Sequence, residues 1–300
     1  MKKQIINNQN IRKIQRIFGI MFIFGIMVKT PVILAQSHEF SVYAGSGLST
    51  LSYQPTLGNR SGGMGADFGV GYTYFKYIEK VTGTGRLYRQ QWGIHTGLGL
   101  GFYNAGTKLN NVDAVTENLD DGEQTFSNFV LTTTLSGYDE KQKTMYLNIP
   151  AMALFQLDRY YVLGGFKFGF PINRKYQYQD ATLTNIAYYP DLKNWITDRK
   201  DRGIGEFKGE SFTNNLDLGV VVMLALEGGA TWRIHSNLTL YTGVYFDYGL
   251  NNLAKGGKKD FINYDLQKPA DFTTNSVLSS FTDKVKITAV GIKLRIAMVK

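Results

Sequence analysis

The 300-residue chain contains no cysteine. Disulfides and thiolate metal sites are therefore excluded, and an oxidising compartment has to be tolerated without covalent staples. Histidine is scarce, with three residues. No apolar run is long enough to cross a bilayer as a helix: IFGIMFIFGIMV (Ile17–Val28) has 12 residues, where about 20 are needed. Beyond Gln36 no useful helical period appears. The phosphate-loop ending Gly-Lys-Ser/Thr is missing from GSGLST (Gly45–Thr50), no helix follows it, and GTG (Gly83–Gly85) is equally bare. The carboxylates of LDDGE (Leu119–Glu123) do not have the spacing of a calcium loop. No cofactor or metal is expected.

Residues 1–35 have the layout of an export signal. Lys2, Lys3, Arg12, Lys13 and Arg16 precede the apolar run, and Ile33 and Ala35 stand where a signal peptidase reads small or aliphatic side chains. An uncleaved anchor is the alternative. The segment holds six basic residues and no acid, so its removal lowers the formal charge from +9 to +3. The basic balance belongs mostly to this segment, and nucleic acid is not an expected partner.

What the chain has is glycine, 33 residues, about half again the ordinary share, arranged with period two. In WGIHTGLGLGFY (Trp92–Tyr103), Trp92, Ile94, Leu98, Leu100 and Phe102 alternate with Gly93, His95, Gly97, Gly99 and Gly101. The same alternation marks Glu39–Tyr53, Gly62–Phe75, Met145–Gln156, Tyr160–Ile172, Leu216–Arg233, Leu238–Leu250 and Val285–Val299. These are eight strands, each long enough to span a bilayer at about 9–11 residues. Their links sort by side. Residues 157–159 and 234–237 are tight turns, and TGTG (Thr82–Gly85) offers a third hairpin. Residues 54–61, 105–144, 173–215 and 251–284 lie on the other side, and three of these four are long and polar. Short turns on one side and long loops on the other predict an all-β, eight-stranded antiparallel up-and-down transmembrane β-barrel over residues 36–300. The greasy face points at lipid and the bare face into a narrow lumen. A soluble lipocalin-like barrel needs the inverse arrangement. Tyr72, Tyr74, Trp92, Tyr160 and Trp232 fall at one rim, the periplasmic one, and read as an interfacial aromatic girdle.

The stretches FSVYAGSGLSTLSY, GADFGVGYTYF, WGIHTGLGLGFYNA, YLNIPAMALFQ, LGVVVMLALEGGATWRI and LYTGVYFDYGLN resemble the outer-membrane β-barrel domain of Bacteroides-type envelope proteins, across essentially all of residues 36–300. YLNIPAMALF leading into YYVLGGFKFGFPI carries the resemblance most specifically. The resemblance implies a cell-envelope protein in the bacterial outer membrane. Many relatives add an OmpA-like domain that grips peptidoglycan. None follows here, so that partner is not carried over. Barrels that end their chain usually close on an aromatic residue, whereas this one ends IAMVK. Pro150 cannot donate to a β-ladder, and a bulge is expected there.

Parity sends Asp67, His95, Lys167, Glu227, Arg233, Asp247, Lys293 and Arg295 into the lumen. Charges there must be paired. Two readings remain: a salt-bridge network that fills and closes the barrel, or the lining of a gated narrow channel. His95 sits in the periplasmic half of its strand, away from the outer leaflet where lipid-modifying barrel enzymes work. His38 falls in the mature N-terminal tail and His235 in a tight turn. The expected role is structural or interactive, through long extracellular loops such as YYPDLKNWITDRKDRG (Tyr188–Gly203) that offer a surface to a ligand. A porin-like pore for small solutes or ions is the alternative, and a lipid-modifying enzyme a third. The expected partner is outer-membrane lipid.

Overall fold

The computed structural model describes residues 36–52, 59–81, 87–109, 114–120, 128–179, 182–208, 212–255, 258–263 and 273–299. The export segment 1–35, the Thr82–Gly85 hairpin and Asp121–Glu123 lie outside them. In chain order the strands are β1 (Gln36–Ser52), β2 (Asn59–Val81), β3 (Leu87–Leu109), β4 (Ala114–Asp120), β5 (Asn128–Ser136), β6 (Tyr138–Leu157), β7 (Tyr160–Gln179) and β8 (Thr182–Tyr189). There follow β9 (Asn194–Ile196), β10 (Gly205–Lys208), β11 (Phe212–Asn215), β12 (Val221–His235), β13 (Leu238–Gly249), β14 (Ile262–Asn263), β15 (Thr273–Thr274) and β16 (Lys286–Val299). Helix is confined to single turns at Lys200–Arg202 and Val277–Ser280 among the described residues.

The protein is all-β, and eight strands close a ring. β1, β2, β3, β6, β7, β12, β13 and β16 pair in that order, each antiparallel to the next, and β16 returns to β1 from Glu39↔Val299 to Ser52↔Lys286. Two-residue links join β6 to β7 at Asp158–Arg159 and β12 to β13 at Ser236–Asn237. Asp158 takes the left-handed backbone this turn needs, with φ of 51°, which Asp tolerates through local hydrogen bonding.

Alternation decides which side chains turn inward, and glycine makes the room. A Cβ on Gly99 would stand 2.0 Å from the Tyr43 hydroxyl, and one on Gly71 2.6 Å from the His95 ring. Large polar side chains from neighbouring strands fill the space those residues leave, as a ring of so few strands requires.

Three expectations need correction. No bulge falls at Pro150: its register with β7 is continuous at Pro150↔Lys167, and the shift lies between Met145 and Tyr146. The β6 ladder to β3 is instead interrupted between Thr96↔Ala151 and Gly99↔Asn148, so the missing Pro150 donor faces a gap in pairing. The strands also outrun their expected ends, with β3 reaching Leu109 and β6 starting at Tyr138. Finally, the long links are folded. β10, β8, β5 and β4 form a second sheet in that order, with β9 on β8.

That second sheet is one-sided. Phe129, Leu131 and Leu135 of β5 and Leu183, Ala187 and Tyr189 of β8 are buried. They join Leu51, Tyr103, Leu109, Tyr138, Tyr146, Tyr176 and Tyr178 of the ring strands in one apolar core. The loop-side end of the ring therefore carries a packed cap.

Candidate functional site

Below the cap the ring interior is charged. Asp247 of β13 meets Lys167 of β7 at 2.8 Å, and Lys167 reaches Asp67 of β2 at 3.5 Å. Lys293 of β16 lies 3.1 Å from Asp67 and 3.4 Å from Glu227 of β12, and Glu227 closes on Arg295 of β16. Signs alternate along this six-member chain, Asp247–Lys167–Asp67–Lys293–Glu227–Arg295, and it ties five strands together. Every member is at most 5% exposed. Burial on this scale is tolerated only because each charge has an opposite neighbour; an isolated one would cost several kcal/mol.

Aromatic groups complete the packing. The Lys293 ammonium lies 4.8 Å from the Tyr43 ring centroid and 5.0 Å from that of Tyr245, Lys167 lies 5.7 Å from Tyr245, and the Arg295 guanidinium lies 5.5 Å from Tyr241. These are cation–π distances. The Tyr161 hydroxyl donates to Glu227 at 3.0 Å, and that of Tyr241 to Glu39 at 2.9 Å. Asp67 is held differently: it meets two ammonium groups at ion-pair range, but neither of its oxygens makes an aligned hydrogen bond.

Seven of the eight residues assigned to the lumen are buried, and Arg233 is not. It is exposed, beside the register shift between Arg233 and His235 that ends β12. There it lines an open cavity of about 520 Å³ at the turn end, together with Glu39, Gln91, Gln156, Arg159 and Tyr241. His95 is buried but lies outside the ion chain: its Nδ1 faces Thr73 Oγ1 at 2.8 Å. All five girdle aromatics sit toward the turn end of their strands. Trp92, Tyr160 and Trp232 are exposed, whereas Tyr72 and Tyr74 are half-buried, flanking His38, whose Nδ1 lies 2.6 Å from the Tyr72 hydroxyl. His38, expected in a tail, is thus part of β1.

Sequence reasoning passed over two buried carboxylates. Glu39 follows the parity of β1 and could have been found by extending that count inward. Glu140 sits within the cap, in a segment expected to be loop. Its carboxylate accepts from the Tyr138 hydroxyl at 2.9 Å, Gln142 Nε2 at 2.8 Å, the Val277 backbone N–H at 2.9 Å and the Ser276 hydroxyl. No cation pairs with it among the described residues. Burial pushes its pKa above the usual carboxylate range, against the pull of those four donors. The signal was the inward alternation Tyr138, Glu140, Gln142, Thr144, Tyr146, which keeps period two but mixes polarity.

Among the described residues the buried ions pair with one another, and the cavity of about 520 Å³ lies at the turn end. No known protein family matches this chain, and no curated protein matches it.

Proposed function

We propose that this protein is an integral outer-membrane β-barrel with a structural or surface-interaction role, exported by residues 1–35 and displaying a folded cap on the extracellular side. One observation carries the reading: the ring is inverted relative to a water-soluble protein. Met64, Ile292, Ile94, Leu48 and Val244 are each more than 60% exposed on its outer face, while six charges fill the interior. On β7 the exposed apolar face runs from Tyr160 to Ile172. At ~3.3 Å per residue and ~45° tilt that is about 28 Å of height, close to the hydrocarbon thickness of a bilayer. Trp92, Tyr160 and Trp232 stand where an aromatic girdle belongs.

The resemblance to the barrel domain of Bacteroides-type envelope proteins points the same way. The ion chain and the apolar cap favour a closed barrel over a pore, so the surface cap is where the protein meets a ligand or partner. The test is a cold-versus-boiled SDS gel on an outer-membrane fraction, followed by single-channel recording. A heat-dependent mobility shift in that fraction, with silent bilayers, is expected. Recovery in the soluble periplasm would sink the membrane assignment, and steady unitary currents would replace the structural role with the pore.

A further inference from the structure

Just above the apolar belt on the cap side, the outer face of β3, β6, β7 and β11 carries a row of donors. Asn104, Lys143, Lys175 and Asn215 are register partners across these four strands. Lys143 and Lys175 stand directly opposite each other on adjacent strands, and both are exposed. Lys141, one row further up on the same face, is exposed too. Like charges directly opposite on neighbouring strands repel and destabilise the pair. Among the described residues none of the three lysines has an ion-pair partner, and the one acid on this face of β6, Asp139, is taken by Lys108 at 3.3 Å. Two loop-side lysines, Lys258 and Lys259, pair with Asp283 and Asp217.

The place of the row is as telling as its charge. Lys143 lies two residues beyond Met145 in β6, about 7 Å along the strand, and below Met145 the outward positions Leu147 and Phe170 belong to the apolar belt. In the membrane orientation proposed above, that height is the headgroup layer of the cap-side leaflet.

We infer that Lys143 and Lys175, supported by Lys141 and Asn215, bind the phosphate of an anionic lipid headgroup in that leaflet. A phosphate monoester carries between one and two negative charges and three acceptor oxygens. Set between the two ammonium groups, it turns their repulsion into a bridge across β6 and β7, while the acyl chains lie down the apolar face beneath. The lipid thereby fastens the seam where the β6–β7 register shifts.

The inference rests on the membrane reading, and the experiment separates the two. Folded full-length protein in a neutral maltoside detergent is titrated with short-chain phosphatidic acid, and bound lipid is read by native mass spectrometry. Short-chain phosphatidylcholine and inorganic phosphate are the comparison arms. Retention of phosphatidic acid over both is expected. The double variant Lys143→Gln/Lys175→Gln should lose about 30-fold in that affinity, and Lys258→Gln should lose none. Without lipid, Lys143→Gln should unfold at a temperature no lower than the parent. Equal affinity of the double variant overturns the site, and equal binding of inorganic phosphate overturns its assignment to lipid. Insertion is read separately, by flotation of the same protein with phosphatidylcholine vesicles. Flotation beside an indifferent double variant removes the site and leaves the membrane reading standing; failure to float removes both.

Discussion

The middle of the ring and its cap fill the same tube by opposite means. The middle holds six buried charges in alternating order, braced by Tyr43, Tyr241 and Tyr245. The cap core holds leucines, phenylalanines and tyrosines and, among the described residues, a buried carboxylate, Glu140, that meets only neutral donors. The difference follows from what stands outside each. Around the middle the outer face is apolar, so polarity has nowhere to go but inward. Around the cap the outer face is polar, as Lys108, Lys141 and Lys143 show, so the inside can be greasy like that of any soluble domain. One chain therefore carries both kinds of interior, and they exchange at about the height of Met145, where the β6–β7 register shifts.

Removing one ion from the middle should have the largest effect. Glu227→Ala strips Arg295 and the Tyr161 hydroxyl of their carboxylate at once and leaves Lys293 with Asp67 alone. Loss of about 3–5 kcal/mol is expected, read as a lowered urea midpoint for the protein in vesicles. A midpoint equal to the parent's would mean that the chain does not bear on stability. Glu227→Gln, which keeps the shape and one acceptor, should fall between the two.

A cavity in the cap should come second. Leu135→Ala empties a fully buried position opposite Leu183, at about 3 kcal/mol. The comparison sharpens through where the damage goes. This variant should expose the cap to protease while leaving intact the heat-dependent SDS mobility shift expected of the parent. Simultaneous loss of both would mean that ring and cap fold as one unit.

A smaller effect should follow from crowding the middle. Gly99→Ala places a methyl against the Tyr43 hydroxyl, and about 1–3 kcal/mol of overpacking is expected. Tyr43→Phe in the same chain should recover part of it. If Gly99→Ala is neutral and Tyr43→Phe alone is not, the glycine serves backbone bending instead of making room.

The ring's strands were legible in the sequence because period-two alternation between apolar and small or polar residues recurs along them, with exceptions such as Thr96 on the outer face and Leu154 and Leu163 on the inner one. The same parity put Asp67, Lys167, Glu227, Asp247, Lys293 and Arg295 on the inward face. Arg233, the last residue before the register shift at the turn, lines the open turn-end cavity instead of being buried, and at Pro150 a gap in the ladder replaces the expected bulge. Parity also failed through the cap. Tyr138, Glu140, Gln142 and Thr144 still alternate with Asp139, Lys141 and Lys143, but both faces are polar or amphipathic, so period two carries no hydrophobic contrast. The partners that make Glu140 a buried site, Ser276 and Val277, lie more than 130 residues away in sequence, and no local pattern announces them.

The gentlest probe of the comparison is pH, because one carboxylate in the cap meets no cation. Burial raises the folded-state pKa of Glu140 above its value in the unfolded chain. The folded state then holds a proton that the unfolded chain has already released, so the stabilisation is complete below the ordinary carboxylate range and is lost as pH rises through the raised value. The protonated form fits without rearranging the backbone, since the Ser276 hydroxyl can turn from donor to acceptor. Across that window the cap should weaken by up to about 1.4 kcal/mol per pH unit. Protease susceptibility of the cap, followed from about pH 4 to pH 8, should rise in the parent. In Glu140→Gln, whose amide does not titrate, it should stay nearly flat. Parallel curves for the two proteins would mean that Glu140 is ionised throughout, held by its four donors alone, and the cap would then tolerate an unpaired buried charge of the kind the six-member ion chain avoids.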